Sequence, residues 1–258
     1  MFLKYFDLSG KVAFLTGAAG GLGEVFAKAL CEAGASLFVA SRGEEGLKRI
    51  TETIRSLGGE CDYHTCDISD TSTIAPAVEA CIARYGKVDI LVNGAALLRD
   101  NRSPFEISAE SYATVVNANL VGTLELAKEC AKDMMKRKWG RIVNISSAAG
   151  NVVLKGVHGG AYETSKAAVT MLSKTLATEW GKDGICVNTL SPGYFGTQSN
   201  KNYFDADPEF YGVVIDNIPL GRLGEPEELV GALLLLCSDA SSYMQGENIV
   251  VDGGYTCW

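Results

Sequence analysis

Short apolar runs alternate with longer amphipathic stretches from one end of the chain to the other, the pattern of a parallel sheet whose strands are joined by crossover helices. Strands are predicted over residues 11–16, 36–41, 61–65, 88–93, 140–146, 186–190 and 248–251. The first four include near-continuous apolar runs such as Val12-Ala13-Phe14-Leu15 and Ile90-Leu91-Val92, as expected of strands covered on both faces. Helices are predicted over 21–33, 44–57, 71–85, 108–137, 161–182 and 225–238. Ser108, with Ser111 three residues on, and Pro226-Glu227-Glu228 supply the capping chemistry of two of them. Residues 194–221 show no period and carry polar and aromatic side chains, so a mobile loop with a short helix is expected there, a natural lid. The whole is a doubly wound, seven-stranded parallel sheet in a three-layer α/β/α arrangement.

Composition narrows the classes available. At 258 residues, 47% hydrophobic and 21% charged with only six prolines, the chain is expected to form one domain over 1–258 with little disorder. A net charge of −8 argues against nucleic acid as a partner, because its binders cluster excess Lys and Arg. The run Lys136-Arg137-Lys138 precedes a strand and fits a helix C-terminus, where cations complement the macrodipole. Eight scattered cysteines lack the spacing of a zinc site or a disulfide scaffold, so no metal is expected and free thiols in a reducing cytosol fit best. The first residues lack an apolar stretch of signal-peptide length, and the apolar run at 229–237 is too short to span a bilayer. A soluble, cytoplasmic protein with no membrane partner is the expectation.

Two motifs carry chemistry. Thr16-Gly17-Ala18-Ala19-Gly20-Gly21-Leu22-Gly23 lies between the first predicted strand and helix. Glycines there permit a tight turn, let the backbone approach a pyrophosphate and allow close packing of helix on strand. Tyr162 and Lys166 are four residues apart and therefore share a helix face, where an ammonium lowers the pKa of a phenol that otherwise titrates near ~10. Ketone reduction puts hydride on carbon and a proton on oxygen, so it needs such an acid and a donor aimed at the developing alkoxide.

On these residues, and over essentially its full length, the chain resembles the short-chain dehydrogenase/reductase family, compact subfamily, with a Rossmann-type fold. Thr16 to Gly23 matches the family's glycine turn, Tyr162 to Lys166 its Tyr-x-x-x-Lys, and Pro192-Gly193-Tyr194-Phe195-Gly196-Thr197 its Pro-Gly-x-x-x-Thr. The resemblance implies Tyr162 as acid or base, and Lys166 as the group that tunes it and holds the nicotinamide ribose. Ser147, rather than its neighbour Ser146, is implied to hold the substrate oxygen. Asn119, not Asn117, is implied to position a water that feeds protons to Lys166. For the cofactor it implies Gly17, Ala19, Gly21, Leu22, Gly23, Asp67, Ile68, Asn93, Ala95, Pro192, Gly193, Phe195 and Thr197, besides Tyr162 and Lys166. One motif departs from the family: Asn93-Gly94-Ala95-Ala96 stands where Asn-Asn-Ala-Gly is common, and Ala96 is strained there if that position needs positive φ.

Cofactor choice turns on the end of the second strand. Ser41 replaces the acid that would bind adenosine ribose hydroxyls, and Arg42 follows, where a guanidinium can pair with a 2′-phosphate. NADP is preferred over NAD. Arg99, His158 and Lys155 are cations near the expected substrate side, beside Tyr194; they favour an anionic substrate such as a sugar acid, though solvated loop charges explain them as well. The Leu97-Leu98-Arg99 context is similar to gluconate and deoxygluconate dehydrogenases. Alternatives are a polyol substrate, a hydroxysteroid dehydrogenase or a 3-oxoacyl reductase; Thr178 stands where acyl-carrier-protein reductases carry an arginine. A nucleotide-sugar epimerase or dehydratase needs a further substrate domain, and only about sixty residues follow Thr197. A non-catalytic cofactor sensor has no need of an intact Tyr/Lys pair. The family implies a homotetramer packed through the two long helices and the C-terminal strand region. Leu172 and Leu176 fit that interface or the subunit core alike, and Trp258 fits a contact.

Overall fold

A computed structural model describes residues 2–97, 104–153 and 160–257. Seven parallel strands form one sheet: β1 (Val12–Thr16), β2 (Ser36–Ser41), β3 (Cys61–Thr65), β4 (Ile90–Asn93), β5 (Gly140–Ile145), β6 (Ile185–Pro192) and β7 (Asn248–Val251). Their order is β3-β2-β1-β4-β5-β6-β7. The order reverses between β1 and β4, and in open α/β sheets ligands bind in the crevice at such a switch point, outside the strand carboxyl ends.

The helices are α1 (Leu22–Glu32), α2 (Glu44–Ser56), α3 (Ile74–Tyr85), α4 (Ala109–Val116), α5 (Gly122–Arg137), α6 (Ala161–Trp180), α7 (Gln198–Ala206), α8 (Pro208–Asp216) and α9 (Val230–Cys237). Alternate side chains of β1 go to opposite faces, as the two-residue period of a strand demands. Ala13 and Leu15 join Phe26 and Leu30 of α1, Leu47 and Ile50 of α2, and Leu233 of α9. Val12 and Phe14 join Ile74 and Val78 of α3, Leu126 and Met134 of α5, and Leu176 of α6. Leu172 also packs against this second layer, so both leucines of the predicted interface side serve the core.

Two predicted elements differ from what forms. The expected helix over 108–137 is interrupted by a π turn at Asn117–Val121 between α4 and α5. The extra residue turns Asn119 inward, and Gly122 then lets α5 approach the β3–α3 connection, where a Cβ would lie 2.3 Å from the Ile68 carbonyl oxygen. Such π bulges recur at functional sites. The second difference is the 194–221 segment. It holds two helices, α7 and α8, each with a side-chain cap: Thr197 accepts from the Asn200 N–H and Asp207 from the Phe210 N–H. Phe204, Phe210, Tyr203 and Tyr211 pack on one another with ring centroids 5.3–5.9 Å apart, giving the segment an aromatic core of its own. Among the described residues no helix is long and apolar enough to cross a membrane.

Candidate active site

The glycine turn follows β1 directly. Gly17 has φ +74° and lies so close to the loop after β4 that a Cβ would sit 2.9 Å from the Ala95 nitrogen. At Gly23 a Cβ would meet the Gly17 carbonyl oxygen at 2.1 Å, so α1 can begin against the turn only as glycine. No side chain caps α1. The Gly23 N–H donates to the Gly20 carbonyl oxygen at 3.1 Å, and a helix start without a side-chain cap is a ready site for an anion. Thr16 Oγ1 accepts from both Gly94 and Ala95 N–H at 3.1 Å, which pins the β4 loop to the turn. Ala19 is fixed from α2, where Arg49 donates to its carbonyl oxygen at 3.0 Å.

The departure at Asn93-Gly94-Ala95-Ala96 is accommodated. Lys138 is the one described non-glycine residue with positive φ, so Ala96 escapes strain. Gly94 takes on the steric role instead: a Cβ there would lie 2.7 Å from the Thr16 carbonyl oxygen. Asn93 is buried and donates to Asn144 Oδ1 at 2.8 Å.

A cleft of about 230 Å³ opens beside these loops, lined by Gly17, Ser41, Arg42, Asp67, Ile68 and Ala95 among others. Ser69, Gly94, Ala96 and Leu97 also line it; sequence reasoning passed over them because nothing in the pattern marks a loop backbone as a wall. Burial alone would raise the Asp67 carboxyl, but hydrogen bonds from the Ser69 side chain and N–H, with the charge of Arg42, hold it below its ordinary value. Arg42 therefore stands within reach of Asp67 across the cleft mouth. On the far side Thr197 faces the turn, its Cγ2 3.9 Å from where a Gly21 Cβ would be. Pro192 ends β6, Gly193 lies flat against Asp252, where a Cβ would approach to 2.6 Å, and Phe195 is buried.

Tyr162 and Lys166 occupy the first turns of α6, with Nζ 5.6 Å from the phenol ring centroid. Lys166 is buried and donates to the Ile145 carbonyl oxygen at 2.8 Å. Asn119 donates to Ser165 Oγ and to the Leu97 carbonyl oxygen, both at 3.0 Å, and accepts the Leu97 N–H at 2.7 Å. It therefore ties α6 to the β4 loop, whereas Asn117 is exposed. The two serines also part company. Ser146 is buried and donates to the Lys166 carbonyl oxygen at 2.7 Å, while Ser147 lies near enough to Tyr162 for its hydroxyl to favour the phenolate.

One electrostatic expectation is overturned. The spacing of Tyr162 and Lys166 implies an ammonium that depresses the phenol, yet burial pushes Tyr162 up to about 12, with only Ser147 acting the other way. Lys166 itself is pulled down to about 8 by the same desolvation. Burial outweighs the pairing because both groups lose water and neither gains an ionised partner.

Tyr194 packs edge to face on Tyr255, centroids 5.4 Å apart, and leans on Phe204 of α7 at 6.0 Å. Arg99, Lys155 and His158 lie outside the described residues. Glu163 and Tyr255 sit at this end of the molecule without having been predicted. A charged residue next to Tyr162 on a helix face that must pack was the available signal.

The comparisons with known proteins agree with this geometry. A family model described as enoyl-(acyl carrier protein) reductase matches residues 17–256. The chain is 37% identical over 256 residues to 2-dehydro-3-deoxy-D-gluconate 5-dehydrogenase of Dickeya dadantii (strain 3937), covering 99% of each. It is 36% identical over 255 residues to D-threitol dehydrogenase of Mycolicibacterium smegmatis (strain ATCC 700084 / mc(2)155), covering 97% of this chain and 95% of that one. Its fold superposes with a TM-score of 0.93 and 33% identity, over all of both chains, on a gluconate 5-dehydrogenase from Burkholderia cenocepacia J2315 solved in complex with NADP and tartrate.

Proposed function

The chain belongs to the short-chain dehydrogenase/reductase family, and from that premise we propose that this oxidoreductase acts on a small polyhydroxylated molecule, a sugar acid or a polyol, in the cytoplasm. It moves hydride between a nicotinamide dinucleotide and a carbonyl or secondary alcohol. The residues fit such a cofactor: the turn is open at Gly20, where a Cβ would meet nothing within 4 Å, and no side chain caps α1. The bound cofactor supplies or accepts the hydride. Everything else falls to the chain.

Tyr162 gives its proton to the developing alkoxide in reduction, or takes one in oxidation. Ser147 holds the substrate oxygen while charge builds on it. Lys166, fixed by the Ile145 carbonyl, holds the nicotinamide ribose and passes protons towards Tyr162. Asn119 keeps α6 and the β4 loop in register around that path. The observation that carries the reading is the convergence of Ser147, Tyr162 and Lys166 at the strand carboxyl ends beside a glycine turn. Arg42, exposed at the cleft beside Ser41 with no acid at the β2 end, supports NADP over NAD. A single functional unit with 194–221 as its lid, assembled as a homotetramer through α5, α6 and the β7 region, completes the proposal. Met171, 61% exposed on α6, is an apolar residue available to that interface.

The test is Tyr162→Phe, assayed by NADPH formation or loss with sugar acids and polyols. We expect kcat to fall about 10³-fold while NADPH binding, followed by its fluorescence, stays within a few-fold of wild type. A variant turning over at the normal rate overturns the assignment.

A further inference from the structure

Glu163 follows Tyr162 on α6 and is rotated about 100° from it around the helix axis. Its charge is felt by three phenols: Tyr162, Tyr194 and Tyr255. Tyr194, after β6, and Tyr255, after β7, pack edge to face with ring centroids 5.4 Å apart. Ala148, Val152, Phe204 and Ile218 supply the apolar part of the same cluster. Glu163 is half-buried in the first turn of α6, next to the phenol assigned the proton transfer. Its Oε2 is sealed from solvent and has no hydrogen-bond partner among the described residues.

An acceptor left without a donor in a protein interior is destabilising, and more so when it is charged. Packing alone gives no reason to keep it, since an apolar side chain of similar size would avoid that cost. A buried carboxyl oxygen without a partner, among hydroxyls that converge on an apolar wall, is what a substrate site looks like before its ligand supplies the donor. A substrate hydroxyl on a carbon flanking the reacting one is such a donor. A substrate carboxylate in that place has no hydrogen to give and brings like charge next to a carboxyl group.

We propose that Glu163 is a specificity-determining residue of the substrate site: it accepts a hydrogen bond from a substrate hydroxyl and disfavours a carboxylate there, so the enzyme takes neutral polyols and ketoses in preference to sugar acids. This deepens the polyhydroxylated-substrate reading above and rests on it. It also runs against the anionic substrate that Arg99, Lys155 and His158 favour in the sequence.

The experiment compares ligands that share a carbon skeleton and differ in their ends. Binding of D-threitol and D-tartrate to the enzyme–NADPH complex is measured by NADPH fluorescence. Oxidation of D-threitol, and of D-sorbitol against D-gluconate, is measured as kcat/KM with NADP. Wild type is expected to bind threitol at least about tenfold more tightly than tartrate, and Glu163→Gln to bring the two within about threefold, chiefly by improving tartrate. The sorbitol-to-gluconate ratio of kcat/KM should move the same way, and Glu163→Asp should keep the wild-type preference. Wild type favouring tartrate, or a ratio unmoved in both Glu163→Gln and Glu163→Ala, overturns the inference. Should one variant fail to fold, judged by its thermal melt, the other decides. Discrimination in binding that Glu163→Gln abolishes, with no turnover of any polyol or acid, removes the substrate reading and with it the preference in turnover, while Glu163 still sets ligand selectivity. Normal turnover with an unmoved ratio removes the Glu163 role alone.

Discussion

The two ends of the sheet use polar residues in opposite ways. At the amino end Asp89, which is almost fully buried, accepts the Val12 N–H at 2.9 Å, pairs with Lys87 at 2.9 Å, and also pairs with Arg137. Arg141 in central β5 donates to the Ser238 carbonyl oxygen and to Asp239, both at 3.0 Å. Trp139 lies between the Lys11 ammonium at 3.5 Å and the Arg141 guanidinium at 4.6 Å. At the carboxyl end the α1 donors are uncapped, Asn93 Oδ1 and Glu163 Oε2 lack partners among the described residues, and Lys166 is buried beside a carbonyl instead of an acid. The amino end pairs its charges within the chain, although the buried Tyr85 hydroxyl before β4 lacks a partner among the described residues, whereas the carboxyl end leaves groups for something that binds. Stability and chemistry are thus separated along the length of each strand.

Breaking the amino end should have the largest effect. Asp89→Ala strands a buried Val12 N–H and leaves Arg137 and Lys87 without their shared carboxylate. Those two cations are 29% and 34% exposed and can recover water, so the loss belongs at the low end of the range for a broken buried pair, about 3 kcal/mol. Urea unfolding should show it as a lower midpoint at unchanged slope. The NADPH dissociation constant of the folded variant should stay within twofold. A matching loss of cofactor affinity would show that the two ends are not separable.

What could be read in advance follows the same division. The limits of β2, β3 and β7 match the residues predicted for them, and in β2 the apolar run marks the buried stretch, because hydrophobic periodicity reports burial within one element. The residues of the glycine turn and the four-residue spacing of Tyr162 and Lys166 were legible for the same reason. The depth at which that pair lies was not. Helical spacing fixes a shared face but says nothing of the lost water that pushes the phenol up and the ammonium down. The π turn at Asn119 depends on α5 approaching the Ile68 carbonyl, a tertiary contact with no local signature. For residues 194–221 one short helix was expected and two form, α7 and α8, since their apolar residues are aromatics that pack on one another and on Tyr194 and Tyr255, outside the sheet's layers and off a single helical stripe.

The next effect in size belongs to the cleft mouth. Arg42 is exposed and adds nothing to either core layer. Arg42→Ala should therefore leave the unfolding midpoint alone and weaken NADPH binding about tenfold to thirtyfold, the worth of a charge-assisted hydrogen bond to phosphate. NADH affinity should change less than twofold. Equal weakening of both cofactors would place Arg42 against the adenine or the pyrophosphate and remove the NADP preference.

The smallest effect carries the opposite sign. Lys166 is buried, and desolvation draws it from 10.5 down to about 8. Below pH 8 the ammonium is charged in both folded and unfolded chains, and the folded state bears the whole cost of burying it. As the pH rises from 8 to about 10.5 the folded chain releases its proton first, the unfolded chain then follows, and the cost disappears. Lys166→Met removes that charge but leaves the Ile145 carbonyl oxygen without its donor, so most of the gain is cancelled. The cofactor-free variant should be more stable than wild type by about 1 kcal/mol at pH 7 and no more stable than wild type at pH 10.5, while turnover is lost. Melting temperatures of the two proteins measured from about pH 6 to about pH 10.5 give the answer directly. If Lys166→Met is less stable at pH 7, this lysine is structural cement like Arg137, and the carboxyl end is not the place where the fold gives up stability to keep its chemistry.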